Sequence, residues 1–216
     1  MLGDLFDPKQ AFSLERRCRP HWSQAGAVVF LTFRTQDSIP REVVLGWENE
    51  KRDWLRRLGI DDDVPMADAI AALLEREKTR FLKHFNRCRE SFLDSCHGRC
   101  LLKQPELAAI VAGSLLHFDG ERYRMGNFVV VPNHVHLLAA FPTLESMKAQ
   151  CASWLHFTAF QINKLIGTKG KFWQQEPLDH LVRSAVQYEH LREYIGDNPR
   201  RAGLKPGEFY YRRFEQ

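Results

Sequence analysis

"VVVPNHVHLLAAF", residues 129–141, is the stretch on which the reading of this chain turns. Residues 122–131 alternate and then become apolar, as a strand does, and Pro132-Asn133 is a turn signal. Residues 134–141 return as a second strand, so 122–141 reads as an antiparallel hairpin. His134 and His136 stand two apart in the returning strand. Side chains alternate along a strand, so both imidazoles point to one face, about 6–7 Å apart. Two imidazoles at that spacing can grip one metal ion, because neutral imidazole is a common ligand. Taken alone, the pair leaves open a plainer reading, in which half-buried histidines are bonded to the backbone.

The chain has 216 residues, enough for one sizeable core, and one domain spanning 1–216 with elaborations is expected. Hydrophobic residues make up 44% and charged residues 27%, the balance of a globular protein. No apolar run reaches the roughly 18 residues that a membrane helix needs. The opening "MLGDLFDPKQAF" lacks the basic-then-apolar order of a signal peptide, so a cytoplasmic location is expected. Five cysteines, an odd number, argue against a disulfide framework. "CHGRC" (96–100) fits no strong zinc spacing, and ordinary thiols are expected there. A net charge of +4 permits a nucleic-acid partner without demanding one.

Outward from the hairpin, "AVVFLTFRT" (27–35) is β-branched, aromatic and of strand length. A helical insertion at about 36–100 follows it. Within it, 66–94 carries Ile70, Leu73, Leu74, Phe81, Leu82 and Phe85 at helical spacing, and reads as one long amphipathic helix with a basic outer face. Residues 104–120 form the next helix, with Pro105 near its start, where proline is tolerated. Residues 142–167 form another, from a Thr143 N-cap to a Gly167 stop. A short strand at 177–183 and a last helix at 184–198, ended by Pro199, complete the pattern. Strands and helices are mixed around a hairpin, which favours an α+β fold.

The last helix bears on the histidines. Gln187, His190, Tyr194 and Asn198 share a stripe, beside a core-facing stripe of Tyr188, Leu191 and Ile195. Asn198 precedes Pro199, which disfavours helix there, so its carboxamide is expected at a frayed end, free to turn toward a ligand.

These blocks resemble a known family. "VVVPNHVHLLAAF" resembles the His-hydrophobic-His (HUH) motif of single-tyrosine transposases. "YIGDNPRRAGL" (194–204) is similar to the Tyr-Ile-x-x-Asn-Pro-x-Arg/Lys-Ala-Gly-Leu block of their REP-associated branch, the REP-associated tyrosine transposases. "GKFWQQEPLDHLVR" (170–183) stands between the two, as that branch's Phe-Trp-Gln block does. Residues 19–40 and 100–125 resemble it as well, and the blocks run in order from about 19 to 204. The resemblance implies an HUH-type fold: a central antiparallel, ferredoxin-like sheet with flanking helices, the insertion following its first strand. It implies a metal-dependent endonuclease and strand transferase that acts on single-stranded DNA at palindromic REP hairpins through a 5′-phosphotyrosine intermediate. Carried over residue by residue, Tyr194 is the nucleophile, and His134, His136 and Asn198 are the metal ligands. Such a donor set suits Mg²⁺ or Mn²⁺ with phosphate and water completing the shell.

The DNA contacts come from charge and aromatic placement. Lys164, Lys169, Lys171 and Arg183 flank the site in sequence, and Arg200, Arg201, Lys205, Arg212 and Arg213 crowd the C-terminal end. Trp173, Tyr210 and Tyr211 are candidates for stacking on unpaired bases, and Arg16, Arg17 and Arg19 for the foot of a hairpin. The chain departs from the family pattern where "SWLHFT" puts Leu155 in place of a lysine, and where the stretch 41–95 is longer than in compact members. No membrane or protein partner is expected, and monomer and homodimer both stay open. Three alternatives stand beside the resemblance: a sequence-specific DNA-binding module without strand transfer, a hydrolytic metal nuclease in which Tyr194 only orients water, and a structural protein with incidental histidines.

Overall fold

The computed structural model describes the chain except residues 1, 11, 12, 17–19, 175, 176 and 216, and the side chains also excepting 13–16, 20–23, 178 and 179. Arg16, Arg17 and Arg19, expected at a hairpin foot, thus have side chains outside the described residues. A small hairpin, β1 (Ser13–Arg16) and β2 (Pro20–Ser23), precedes the main sheet. The main sheet is formed by β3 (Val28–Arg34), β4 (Arg124–Val131), β5 (His134–Ala140), β6 (Leu178–Leu181) and β7 (Tyr210–Arg212). Its order is β6-β3-β5-β4-β7, and every neighbouring pair is antiparallel. The α+β expectation holds, and among the described residues no helix is long and apolar enough to cross a membrane.

The expected hairpin is β4 and β5, closed at Pro132-Asn133 with Val131 opposite His134. Its ladder is interrupted between Met125 and Phe128. Gly126 lies in that interruption, where a Cβ would stand 2.6 Å from a Leu2 methyl and 3.0 Å from the Leu138 carbonyl oxygen. Only a residue without a side chain allows this approach.

Strand alternation divides the sheet into two faces. Val29, Leu31, Phe33, Phe128, Val130, Val135, Leu137 and Ala139 face α4 (Pro105–Leu116) and α5 (Leu144–Leu165), which bring Leu107, Val111, Leu115, Cys151, Trp154 and Ile162. Val28, Phe30, Val129, Val131 and Leu138 face α6 (Ala185–Arg201), which brings Tyr188, Leu191 and Ile195. α5 starts as expected, the Thr143 hydroxyl accepting from the Ser146 N–H at 3.0 Å, and it stops before Gly167, whose φ of +68° is left-handed.

The insertion forms α1 (Arg41–Arg57), α2 (Met66–Ala72) and α3 (Glu75–Asp94), with a cluster of its own around Leu55, Ala69, Leu73, Phe81 and Phe85. The single helix expected at 66–94 is in fact two. Leu73 is extended (ψ 143°), and Leu74 is 78% exposed although its spacing matches the apolar stripe. The break lets Leu73 and Phe81 meet in one cluster, and Glu75 and Glu77 then fall in the first turn of α3, where the helix dipole favours negative charge.

Buried and exposed apolar residues carry different expectations for mutation. Leu137 is fully buried between sheet and helices, whereas Phe160 on α5 is 59% exposed. Leu137→Ala is expected to destabilise the chain by about 2–5 kcal/mol, and Phe160→Ala by less than about 0.5 kcal/mol. Urea midpoints at constant m-value measure both, and equal losses would contradict the burial described.

A candidate metal and tyrosine site between the sheet and the last helix

The register of the sheet builds this site. His136 lies opposite Thr32 of β3 and Val129 of β4, and all three face α6. Thr32 Oγ1 is 2.8 Å from His136 Nδ1. His134 lies one pleat further along the same face, and the two rings converge to a centroid distance of 4.6 Å. Phe30 stacks on His136 at 5.3 Å, which fixes the ring plane. Both histidines are buried, at 0% and 2% exposure.

Hydrogen bonds settle which nitrogen of His134 is available. Asn133 donates from Nδ2 to the His97 carbonyl at 3.0 Å, so its Oδ1 is the end that faces His134. That oxygen is 2.7 Å from His134 Nδ1 and only accepts, so Nδ1 carries the proton. His134 Nε2 is then a bare lone pair, and it is buried without a hydrogen-bond partner. A ligating histidine is held in this way, its second nitrogen fixed by a partner outside the ligand set. Burial pushes the His134 imidazole down to about 3 and holds His136 well below its ordinary value, where the neighbouring His134 also acts. Both rings are therefore neutral and competent as ligands.

α6 supplies the rest. The Tyr194 hydroxyl is 3.4 Å from His136 Nε2, and the rings meet edge to face at 5.2 Å. Burial, with the carboxylates Asp94 and Glu90, raises the phenol above its usual pKa, while Arg201 pulls the other way. Asn198 is fully buried, and its Nδ2 donates to Asp94 Oδ1 at 2.9 Å. Its Oδ1 is buried and has no hydrogen-bond partner among the described residues. The frayed end expected at Asn198 is a correction: α6 continues to Arg201, with Pro199 inside it. The bond to Asp94 and the burial of both Asn198 and Pro199 hold the segment helical against the bias that proline places on the residue before it.

Four expected residues, Tyr194, His134, His136 and Asn198, thus come to one face of the sheet. Among the described residues no group of three His, Cys, Asp or Glu side chains is placed to hold a metal. The donors here are two imidazoles and a carboxamide oxygen. Two buried lone pairs, on His134 Nε2 and Asn198 Oδ1, have no hydrogen-bond partner among the described residues, and their donor chemistry is compatible with a divalent cation. His180, on β6 opposite Phe30, shares with Phe30, Thr32 and His136 a cavity of about 60 Å³ that Asn86, Arg89, Glu90 and Leu93 of α3 close.

The basic residues divide. Arg201 belongs to the site: its guanidinium pairs with Asp94 at 2.8 Å and lies 4.9 Å from the centre of the Tyr194 ring. Lys169 and Lys171 are exposed on a loop that joins the end of β3 where Arg34 pairs with His134, through Gln36 N–H to Phe172 O at 2.8 Å and Gln174 N–H to Arg34 O at 2.9 Å. Lys164, Lys205 and Arg213 are exposed, and Arg200 is exposed beside Asp197 at 2.7 Å. Arg183 lies past the opposite end of β6, with its guanidinium over the Phe6 ring. Arg212 is half-buried and paired with Asp119 at 2.8 Å. Trp173 is a correction. It is buried in the core, and its indole N–H donates to Thr158 Oγ1 at 2.8 Å, so its ring is not presented for base stacking. Tyr210 stacks on Phe128 and the Tyr211 hydroxyl accepts from Asn127 Nδ2 at 3.1 Å, both within the unexpected edge strand β7.

Asp94 was not found from the sequence. A carboxylate in the last turn of a helix sits at the negative end of the helix dipole, and that placement was the available signal. Burial raises the Asp94 carboxyl, against the pull of Arg201 and Asn198. Removing Arg201 leaves this nine-tenths-buried group with one partner fewer. Arg201→Ala is expected to lower stability by about 1–3 kcal/mol. Arg200→Ala, one residue earlier, leaves the urea midpoint in place. Midpoints that move equally for the two would show that the Asp94–Arg201 pair contributes nothing.

No protein-family model matches the chain, and no curated protein matches it. Among solved structures it is similar to a REP-associated tyrosine transposase bound to a REP hairpin, at 14% identity and a TM-score of 0.44, over 88% of this chain and 75% of that one.

Proposed function

We propose that the chain is a metal-dependent endonuclease and strand transferase for single-stranded, hairpin-forming DNA of the REP type, with Tyr194 as its nucleophile. The observation that carries this reading is a tyrosine hydroxyl 3.4 Å from one of two adjacent neutral imidazoles, with a buried carboxamide one turn further along the same helix and with His134 Nε2 and Asn198 Oδ1 unpartnered among the described residues. The motifs at 134–136 and 194–204 resemble the family with this chemistry.

In this reading the Tyr194 oxygen attacks a backbone phosphorus. A phenolic O–P bond forms and the P–O3′ bond breaks, giving a 5′-phosphotyrosine and a 3′-hydroxyl. The phenol gives up its proton and the departing 3′ oxygen gains one. A phenol whose pKa is raised is a poor nucleophile unaided, and its proton would pass to water, because His136 Nε2, 3.4 Å away, is the lone pair that would hold the ion. His134, His136 and Asn198 would hold Mg²⁺ or Mn²⁺. When bound, such an ion neutralises charge on the phosphate oxygens and polarises phosphorus. Lys169, Lys171 and the exposed C-terminal arginines would track the DNA backbone, a sequence-independent contribution that weakens with salt.

A second reading, DNA binding without strand transfer, is favoured by the closure of the site: His134 and Asn198 are fully buried, and α3 lies across the cavity beside His136. One experiment separates the two. Incubated with a hairpin-bearing single strand and Mn²⁺, the protein is expected to form a denaturant-stable adduct, Tyr194→Phe none, and a fully paired duplex little. Binding without adduct would leave the second reading standing, cleavage without adduct would indicate hydrolysis, and adduct in Tyr194→Phe would move the nucleophile elsewhere. Asn198→Ala is expected to keep DNA binding and lose cleavage, part of which returns at high Mn²⁺. An unchanged rate and metal dependence in that variant would take Asn198 out of the ligand set.

A further inference from the structure

We infer that Asp94, the last residue of α3, is a positioning residue for the ion site, acting through Asn198. This rests on the reading of His134, His136 and Asn198 as ligands. A carboxamide is nearly symmetric in shape, and its partner decides which end faces a cation. The two ends act oppositely there: the oxygen binds, whereas the NH₂ repels. The Asp94 carboxylate only accepts, so it takes Asn198 Nδ2 at 2.9 Å and leaves Asn198 Oδ1 as the buried, unpartnered end.

The two carboxylate oxygens of Asp94 have separate tasks. Oδ1 accepts from Asn198, while Oδ2 accepts from Arg201 Nη2 at 2.8 Å and Nε at 3.1 Å. The guanidinium fixes the rotation of the carboxylate, and the carboxylate fixes the amide. Each candidate ligand then has one holder outside the ligand set: Asn133 for His134, Thr32 for His136, and Asp94 for Asn198. The first two holders lie in or beside the sheet. Asp94 comes from the insertion, 104 residues before Asn198, so the insertion supplies part of the geometry of the site.

The test is Mn²⁺ binding to the full-length, DNA-free protein, read from the electron spin resonance of free Mn²⁺, with a melting curve for each variant. Asp94→Ala is expected to weaken Mn²⁺ binding about 10–100-fold, as loss of an outer partner does. Asp94→Asn keeps an acceptor oxygen at the same place and is expected to retain most of the affinity. Should Asp94→Ala not fold, Asp94→Leu, closer in volume, carries the same expectation. Asp94→Ala in an Asn198→Ala background is expected to add nothing further, because it acts through that residue. A part that only docks α3 would lower the melting temperature and leave Mn²⁺ affinity alone. Parent affinity in Asp94→Ala, equal weakening in Asp94→Asn, or full additivity with Asn198→Ala would each overturn the inference while the ion site stood. A parent that binds no Mn²⁺, or an Asn198→Ala variant with parent affinity, would overturn the ion site and this inference together.

Discussion

The site depends on the register between β4 and β5. Side chains on a strand repeat every two residues, so a slip by one exchanges the faces of the whole strand. In the observed register His134 and His136 face α6, and Val135 and Leu137 fill the core under α4 and α5. A one-residue slip would bury two imidazoles among leucines and turn two aliphatic side chains toward Tyr194. The apolar residues that alternate with the histidines therefore protect the placement of the two rings. Every methyl group they bury on one face is a penalty against misplacing the imidazoles on the other.

The second constraint is the junction of α3 and α6. It is polar, and it joins elements far apart in sequence through the Asp94 carboxylate. A buried carboxylate without partners would cost several kcal/mol. Here the guanidinium of Arg201 and the amide of Asn198 satisfy it, and both come from the last turn of α6. Arg201 also covers the Tyr194 ring, so the contacts that settle the helix end also settle the surroundings of the tyrosine.

Much of this was legible in the sequence, and the exceptions share a cause. The hairpin, α4 and α5 follow from periodicity and from local start and stop signals such as Thr143 and Gly167. The shared face of the two histidines and Tyr194 is legible because alternation in a strand and the three-to-four spacing in a helix are local rules. The break at Leu73 and Leu74 was not found, since the apolar spacing runs through it unchanged and only packing around Phe81 interrupts the helix. Trp173 was misplaced because nothing local says that its indole N–H meets a buried threonine on α5. From sequence Asn198 reads as a loosened end because Pro199 follows it, while the partner that holds it in the helix stands 104 residues earlier. β7 is too short to show a period. Local rules found what local forces decide.

The margins of the sheet have a consequence for how copies of this chain meet. The outer strands β6 and β7 have 4 and 3 residues, against 7, 7 and 8 for the inner β3, β5 and β4. A long, flat outer strand is a template on which another chain builds a continuous ladder, the first step toward fibrous aggregation. Here β7 pairs with three of the eight residues of β4 and β6 with four of the seven of β3, so each outer strand is too short to template a long ladder, and β7 carries Arg212. Strand addition is thereby blunted at both margins.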